Sequence, residues 1–104
     1  MRRGQVYTLL RGGSQHRVLV ISNDEYNDVE ELAVWALAIA RDVPHANHLT
    51  VRLAAGDPLS GAYVRIHSVV QILDRTALRE DHGFVSHATM NAVEAALREF
   101  LELP

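Results

Sequence analysis

Apolar residues fall in short runs along most of this chain, separated by polar turns, and take up a helical period only near the C-terminus. Residues 5–10 (QVYTLL), rich in β-branched, aromatic and aliphatic side chains, predict a first strand. Arg11-Gly12-Gly13-Ser14-Gln15 follows as a turn or short loop, because paired glycines and a serine punctuate regular structure. Residues 17–22 (RVLVIS) give the clearest strand, an apolar run too short for a buried helix. A polar connector over 23–27 has room for one helical turn. Residues 31–40 sit between helix and strand. Val34, Trp35 and Ile39, with β-like segments on both sides, decide for a strand, and Asp42-Val43-Pro44 breaks it. Short strands over 49–53, 63–66 and 69–73, a turn at Gly56-Asp57-Pro58 and a helical turn over 74–78 complete the β portion.

The last segment changes period. Ser86 is a good N-cap, since its hydroxyl can accept from an otherwise orphan backbone N–H. Met90, Val93, Leu97, Phe100 and Leu101 then recur at helical spacing and give one apolar face to lay on the sheet. Several short strands followed by one helix predict a mainly β fold with a C-terminal helix, of α+β or barrel-with-helix architecture. With 104 residues the chain supports one core, so residues 1–104 are read as a single domain.

Composition narrows the chemistry. Hydrophobic residues at 48% and charged residues at 22% suit a globular fold rather than disorder. There is no cysteine, which removes disulfides, thiolate metal sites and thiol nucleophiles. The longest apolar run, 32–40, is far shorter than a membrane span, and no leader is visible after Met1. The expectation is a cytoplasmic protein with no membrane contact. Net charge is −3, but Arg2, Arg3, Arg11 and Arg17 all precede the first acid, and Asp24, Glu25, Asp28, Glu30 and Glu31 then crowd one stretch. A basic patch beside an acidic loop can take a phosphate on one side and repel it on the other; the competing reading is an uneven solvated surface. Every basic side chain is Arg, the better bidentate partner for phosphate.

These signals occur in a particular order: Arg3-Gly4-Gln5-Val6-Tyr7, then Gly13-Ser14-Gln15, then 18–24 (VLVISND), then 69–78 (VVQILDRTAL), then the helix running from Ser86 through Met90 to Leu97. The chain resembles the MazF/PemK family of toxins from bacterial toxin–antitoxin pairs over essentially its whole length. The resemblance implies an SH3-like small β-barrel of the MazF/CcdB kind that forms a homodimer. It also implies metal-independent cleavage of single-stranded RNA with no cofactor, and silencing by a cognate antitoxin.

Several of the family's site positions are changed. Relatives carry Arg-Pro just before the strand matching 18–22, the Arg stabilising charge on the phosphorane-like transition state. Aligned without a gap, His16 stands at that Arg and Arg17 at the Pro; a one-residue deletion instead puts Arg17 at the Arg. Strand parity separates the two, because His16 shares a face with Val18 and Arg17 points the other way unless a bulge re-aims it. The family's catalytic Thr falls at Ala38. The family loop loses its acid in Gly13-Ser14-Gln15, and an acid–Gln pair that contacts RNA reads here as His67-Ser68.

RNA cleavage without metal needs a base for the 2′-OH, an acid for the departing 5′-oxygen and a cation beside the phosphate. His16 and Arg17 are the candidate catalytic pair, and Ser14, Gln15, His67, Ser68 and Arg75 the candidate RNA contacts. The competing readings are plain. Arg17 only balances nearby acids; Trp35 fills the core or a dimer interface; Tyr7 and Tyr63 are core or rim. His45-x-x-His48 lacks a third ligand for a metal, and His82 and His87 are loop residues flanking the helix start. The alternative function is a catalytically divergent protein of the same fold that acts by binding an antitoxin, gyrase or another target.

Overall fold

The computed structural model describes residues 1–43 and 47–104. The break expected at Pro44 and the His45 half of the histidine pair lie outside the described residues.

The chain opens with a hairpin, β1 (Gln5–Arg11) and β2 (Ser14–Val20), paired antiparallel without interruption from Arg11↔Ser14 to Val6↔Leu19. Only Gly12 and Gly13 form the turn, with φ of 59° and 79°. Two consecutive positive φ values match the twist of the flanking strands, and glycine adopts them without a Cβ penalty. The turn is therefore tighter than the five-residue loop expected, and β2 starts at Ser14. A short helix, α1 (Asp24–Asn27), leads to β3 (Val34–Ala40), which confirms the choice of strand over helix. Next come β4 (Thr50–Arg52) and β5 (Tyr63–Ile72), then a 3₁₀ turn at Arg75–Ala77. The chain finishes with β6 (Leu78–Phe84) and α2 (His87–Leu101).

The six strands form one antiparallel sheet in the order β4-β5-β3-β2-β1-β6. The mainly β fold with a C-terminal helix is as expected, but the sheet is not closed. β4 and β6 are its two edges, with no ladder between them among the described residues. Curvature comes from β5, expected as two strands and found as one bent strand. Leu37↔Val69 and Ile39↔Val64 are both paired, so two steps along β3 correspond to five along β5. The three extra residues form a wide bulge that swings the first half of β5 onto β4.

Apolar side chains bury on both faces of this curl. One core holds Val6, Leu19, Leu37, Val64 and Ile66, with Val93 of α2 fully buried against them. The other holds Leu9, Val18, Val20, Val34, Ala36 and Ile72. Alternation along β2 sends Leu19 to the first core and Val18 and Val20 to the second, as a two-residue period requires. Trp35 was expected in the core or an interface; it is 44% exposed, which removes the core half of that expectation.

Helix α2 is fixed at its start by a carboxylate from a distant turn. Ser86 caps it by accepting from the Thr89 N–H at 3.2 Å. Asp57, in the predicted Gly56-Asp57-Pro58 turn, accepts from the Thr89 hydroxyl, from Ser86 N–H at 2.8 Å and from Ala54 N–H at 2.8 Å. Burial raises the Asp57 pKa, but these donors favour the anion more strongly and hold the carboxyl below its ordinary value. Among the described residues no helix is long and apolar enough to cross a membrane.

Candidate active site

Uninterrupted pairing of β2 with both neighbours leaves no bulge to re-aim its side chains. His16 and Arg17 therefore project from opposite faces. His16 is exposed on the face of Val18, and Val18 pairs directly with Ala38. The positions that the ungapped comparison equates with the family's Arg and Thr thus share one face, and both have lost the functional group. The expected pair cannot hold one phosphate together.

Arg17 lies on the other face, half-buried, opposite Thr8 on β1 and Ile39 on β3. It lines a cleft of about 670 Å³ with Ile39, Arg41, Asp42, Ser60 and His82. Ile39 and Leu59, which pack against the first core, form part of its wall. Two guanidiniums and one imidazole face a common space there, against the single carboxylate of Asp42.

His82 reaches this cleft through a local irregularity. β6 pairs Gly83 with Val6 and Asp81 with Tyr7, so His82 is the extra residue of a bulge. A bulge turns a side chain away from the regular alternation and is a common way to aim one into a site. Its Nε2 lies 2.8 Å from the hydroxyl of Thr8, which is 1% exposed. His82 was expected to be a loop residue, an expectation the strand overturns. His87, by contrast, is the exposed first residue of α2.

The remaining candidates are dispersed. Ser14 and Gln15 are exposed beside the hairpin turn. His67 is exposed in the β5 bulge, its Nε2 3.3 Å from Arg65 Nη2, and Ser68 is half-buried beside it; neither lines the cleft. Arg75 has a different task from the expected RNA contact. Its Nη1 donates to the Asn27 carbonyl and its Nη2 to those of Val29, at 2.7 Å, and Leu32, at 3.3 Å. That fork caps the carbonyls of the chain entering β3 and leaves little for a phosphate.

The basic N-terminal patch is likewise mostly engaged. Arg2 pairs with Asp24 and Asp28, and Arg3 with Glu94; Arg11 donates to the Gln71 carbonyl at 2.8 Å. Of the four early arginines, Arg17 alone makes no ion pair or side-chain hydrogen bond among the described residues. A second, apolar cleft runs along Ile21, Tyr26, Leu32 and Trp35. Among the described residues no three His, Cys, Asp or Glu side chains gather as a metal site.

A curled six-stranded sheet with one helix laid across it is the fold of solved MazF toxins. The structure superposes on an endoribonuclease in complex with its cognate antitoxin from a mycobacterial species at a TM-score of 0.85. The two share 30% identity, and the match covers 100% of this chain and 95% of that one. A MazE–MazF complex from Deinococcus radiodurans, at 20% identity, shares the fold with a TM-score of 0.82 over 100% of this chain and 97% of that one. The chain belongs to the family of PemK-like, MazF-like toxins of type II toxin–antitoxin systems, which it matches over residues 2–101. Endoribonuclease MazF4 of Mycobacterium tuberculosis and endoribonuclease MazF1 of Mycobacterium bovis are each 33% identical to it over 98% of this chain and 93% of theirs.

Proposed function

We propose that this toxin is an endoribonuclease of the cytoplasm that cuts single-stranded RNA without a metal ion and does so in the Arg17 cleft. The observation that carries the reading is the convergence of Arg17 and Arg41 on one open cleft, on a scaffold whose relatives are named endoribonucleases. The ribose 2′-oxygen attacks the adjacent phosphorus, the P–O5′ bond breaks, and the products are a 2′,3′-cyclic phosphate and a 5′-hydroxyl. Negative charge grows on the non-bridging oxygens as this happens, and a guanidinium fixed beside them stabilises that state more than the starting one. Arg17, half-buried on a strand paired on both sides, lies deeper in the cleft; Arg41 is exposed and steers the chain in.

In this reading a separately encoded antitoxin holds the toxin silent, which the likeness to an endoribonuclease solved in complex with its cognate antitoxin supports, and the active species is a homodimer. The exposed Trp35 beside an apolar cleft supports a surface made for protein contact. The binding-only alternative is not favoured by relatives named for RNA cleavage. The decisive assay is incubation of purified protein with a long single-stranded RNA in EDTA, with the product ends mapped. Cyclic phosphate and 5′-hydroxyl ends are expected; RNA left intact by an excess of enzyme would overturn the proposal.

A further inference from the structure

The geometry points to His82, positioned by Thr8, as the proton-handling catalytic residue of the Arg17 cleft, so that the active centre has been rebuilt on the opposite face of β2 from His16 and Ala38. This inference rests on the nuclease reading and names the residue that would make the cleft chemically competent.

Three independent features place His82 there. The bulge between Asp81 and Gly83 takes it out of the regular alternation of β6. It lines the same cleft as Arg17 and Arg41. Its ring is tied through Nε2 to a hydroxyl that is itself buried and directly paired across strands with Arg17. Directly opposed residues on neighbouring strands bring their Cβ atoms to roughly 5 Å, so Thr8 ties the imidazole to the same row of the sheet from which the Arg17 side chain springs.

A buried hydroxyl in a β-sheet beside a half-buried imidazole is costly unless each satisfies the other. The bond between them fixes the ring orientation and leaves Nδ1 as the nitrogen available to a substrate. Imidazole is the side chain suited to moving protons at cellular pH. With RNA in the cleft, the ring takes the 2′-hydroxyl proton as the O2′–P bond forms. The departing 5′-oxygen takes a proton from solvent as the P–O5′ bond breaks, and the imidazolium returns its own to water. No oxidant, metal or further co-reactant is needed. Thr8 acts through the ring and is a positioning residue.

The test uses the full-length protein, single-turnover cleavage of a single-stranded RNA and thermal melting of each variant. His82→Gln, which keeps a partner for Thr8, is expected to fold as the parent does and to cut about 10²-fold more slowly. In His82→Ala, free imidazole added to the buffer is expected to restore part of the rate. Thr8→Val should slow cleavage roughly tenfold, the scale of one lost hydrogen bond, and Thr8→Ser should recover it. An unchanged rate in folded His82→Gln while the parent cuts RNA would remove His82 and leave the nuclease reading intact. A slow His82→Ala that imidazole does not revive would give the residue a structural role and likewise overturn the assignment. A parent protein that cuts nothing would remove both.

Discussion

His16 and Arg17 are consecutive in β2 and face opposite ways, the imidazole exposed beside the row of Ala38 and the guanidinium set into the cleft that His82 also lines. The two alignments open at this position thus predict different phenotypes. Removing a cation that stabilises the transition state costs about 10²–10³ in rate. Arg17→Ala is expected to show a loss of that size in single-turnover RNA cleavage, and His16→Ala to stay within about threefold, as for an exposed residue outside the site. The reverse order would return the site to the His16 face.

Arg41 is exposed at the rim, so its contribution is to capture rather than to chemistry. Each phosphate contact on a single strand changes the slope of log affinity against log salt by about 0.7. Arg41→Ala should reduce the salt slope of RNA binding by about that much and weaken binding at low salt, while the rate of the bound complex changes little. Binding of a non-cleavable 2′-deoxy strand across a salt series measures it. An unaltered slope would take the RNA path away from this rim.

Most of the fold was legible in the sequence because its strands are apolar and short, and its helix has a cap and a clean period. Residues 78–84 (LREDHGF) were not legible. They form an edge strand that pairs, among the described residues, with β1 alone, interrupted by register shifts, and an edge facing solvent tolerates charge at nearly every position. That gap hid the site as well. His82 reads as a loop histidine unless residues 78–84 are known to be a strand, and a bulge that re-aims a side chain leaves almost no mark on composition. Thr8 gave no signal either, because a threonine in a strand is ordinary. Parity, by contrast, separates His16 from Arg17 on the sequence alone.

Arg75 provides a sharp contrast between a structural and an RNA-binding arginine. Its fork caps the carbonyls of Asn27 and Leu32 and adds a second donor to that of Val29, which also accepts from the Leu32 N–H at 3.1 Å. Arg75→Ala is expected to destabilise the fold by about 2 kcal/mol, lowering the melting temperature by roughly 8–16 °C for a domain of this size. Cleavage at a temperature where the variant is still folded should be near normal. A stable variant with weak RNA binding would reinstate Arg75 as a nucleic-acid contact.

Asp57 makes the stability of this toxin depend on acid. Burial raises its pKa, yet the Thr89 hydroxyl and the Ser86 and Ala54 N–H groups stabilise the anion enough to leave it below the ordinary carboxylate value. A carboxyl with a lowered folded-state pKa contributes stability that is complete above the unfolded-state value, near 4, and is lost as pH falls through the folded-state value. Denaturant midpoints should therefore be flat from neutral pH to about 5 on account of this group and decline below about 4. In Asp57→Asn the uncharged amide lacks the second acceptor oxygen, so the turn loses hold of the α2 N-terminus. That variant is expected to be about 3 kcal/mol less stable at pH 7 and to have a shallower acid limb than the parent. Parallel acid limbs in the two proteins would show that the carboxylate at the helix start is not what titrates.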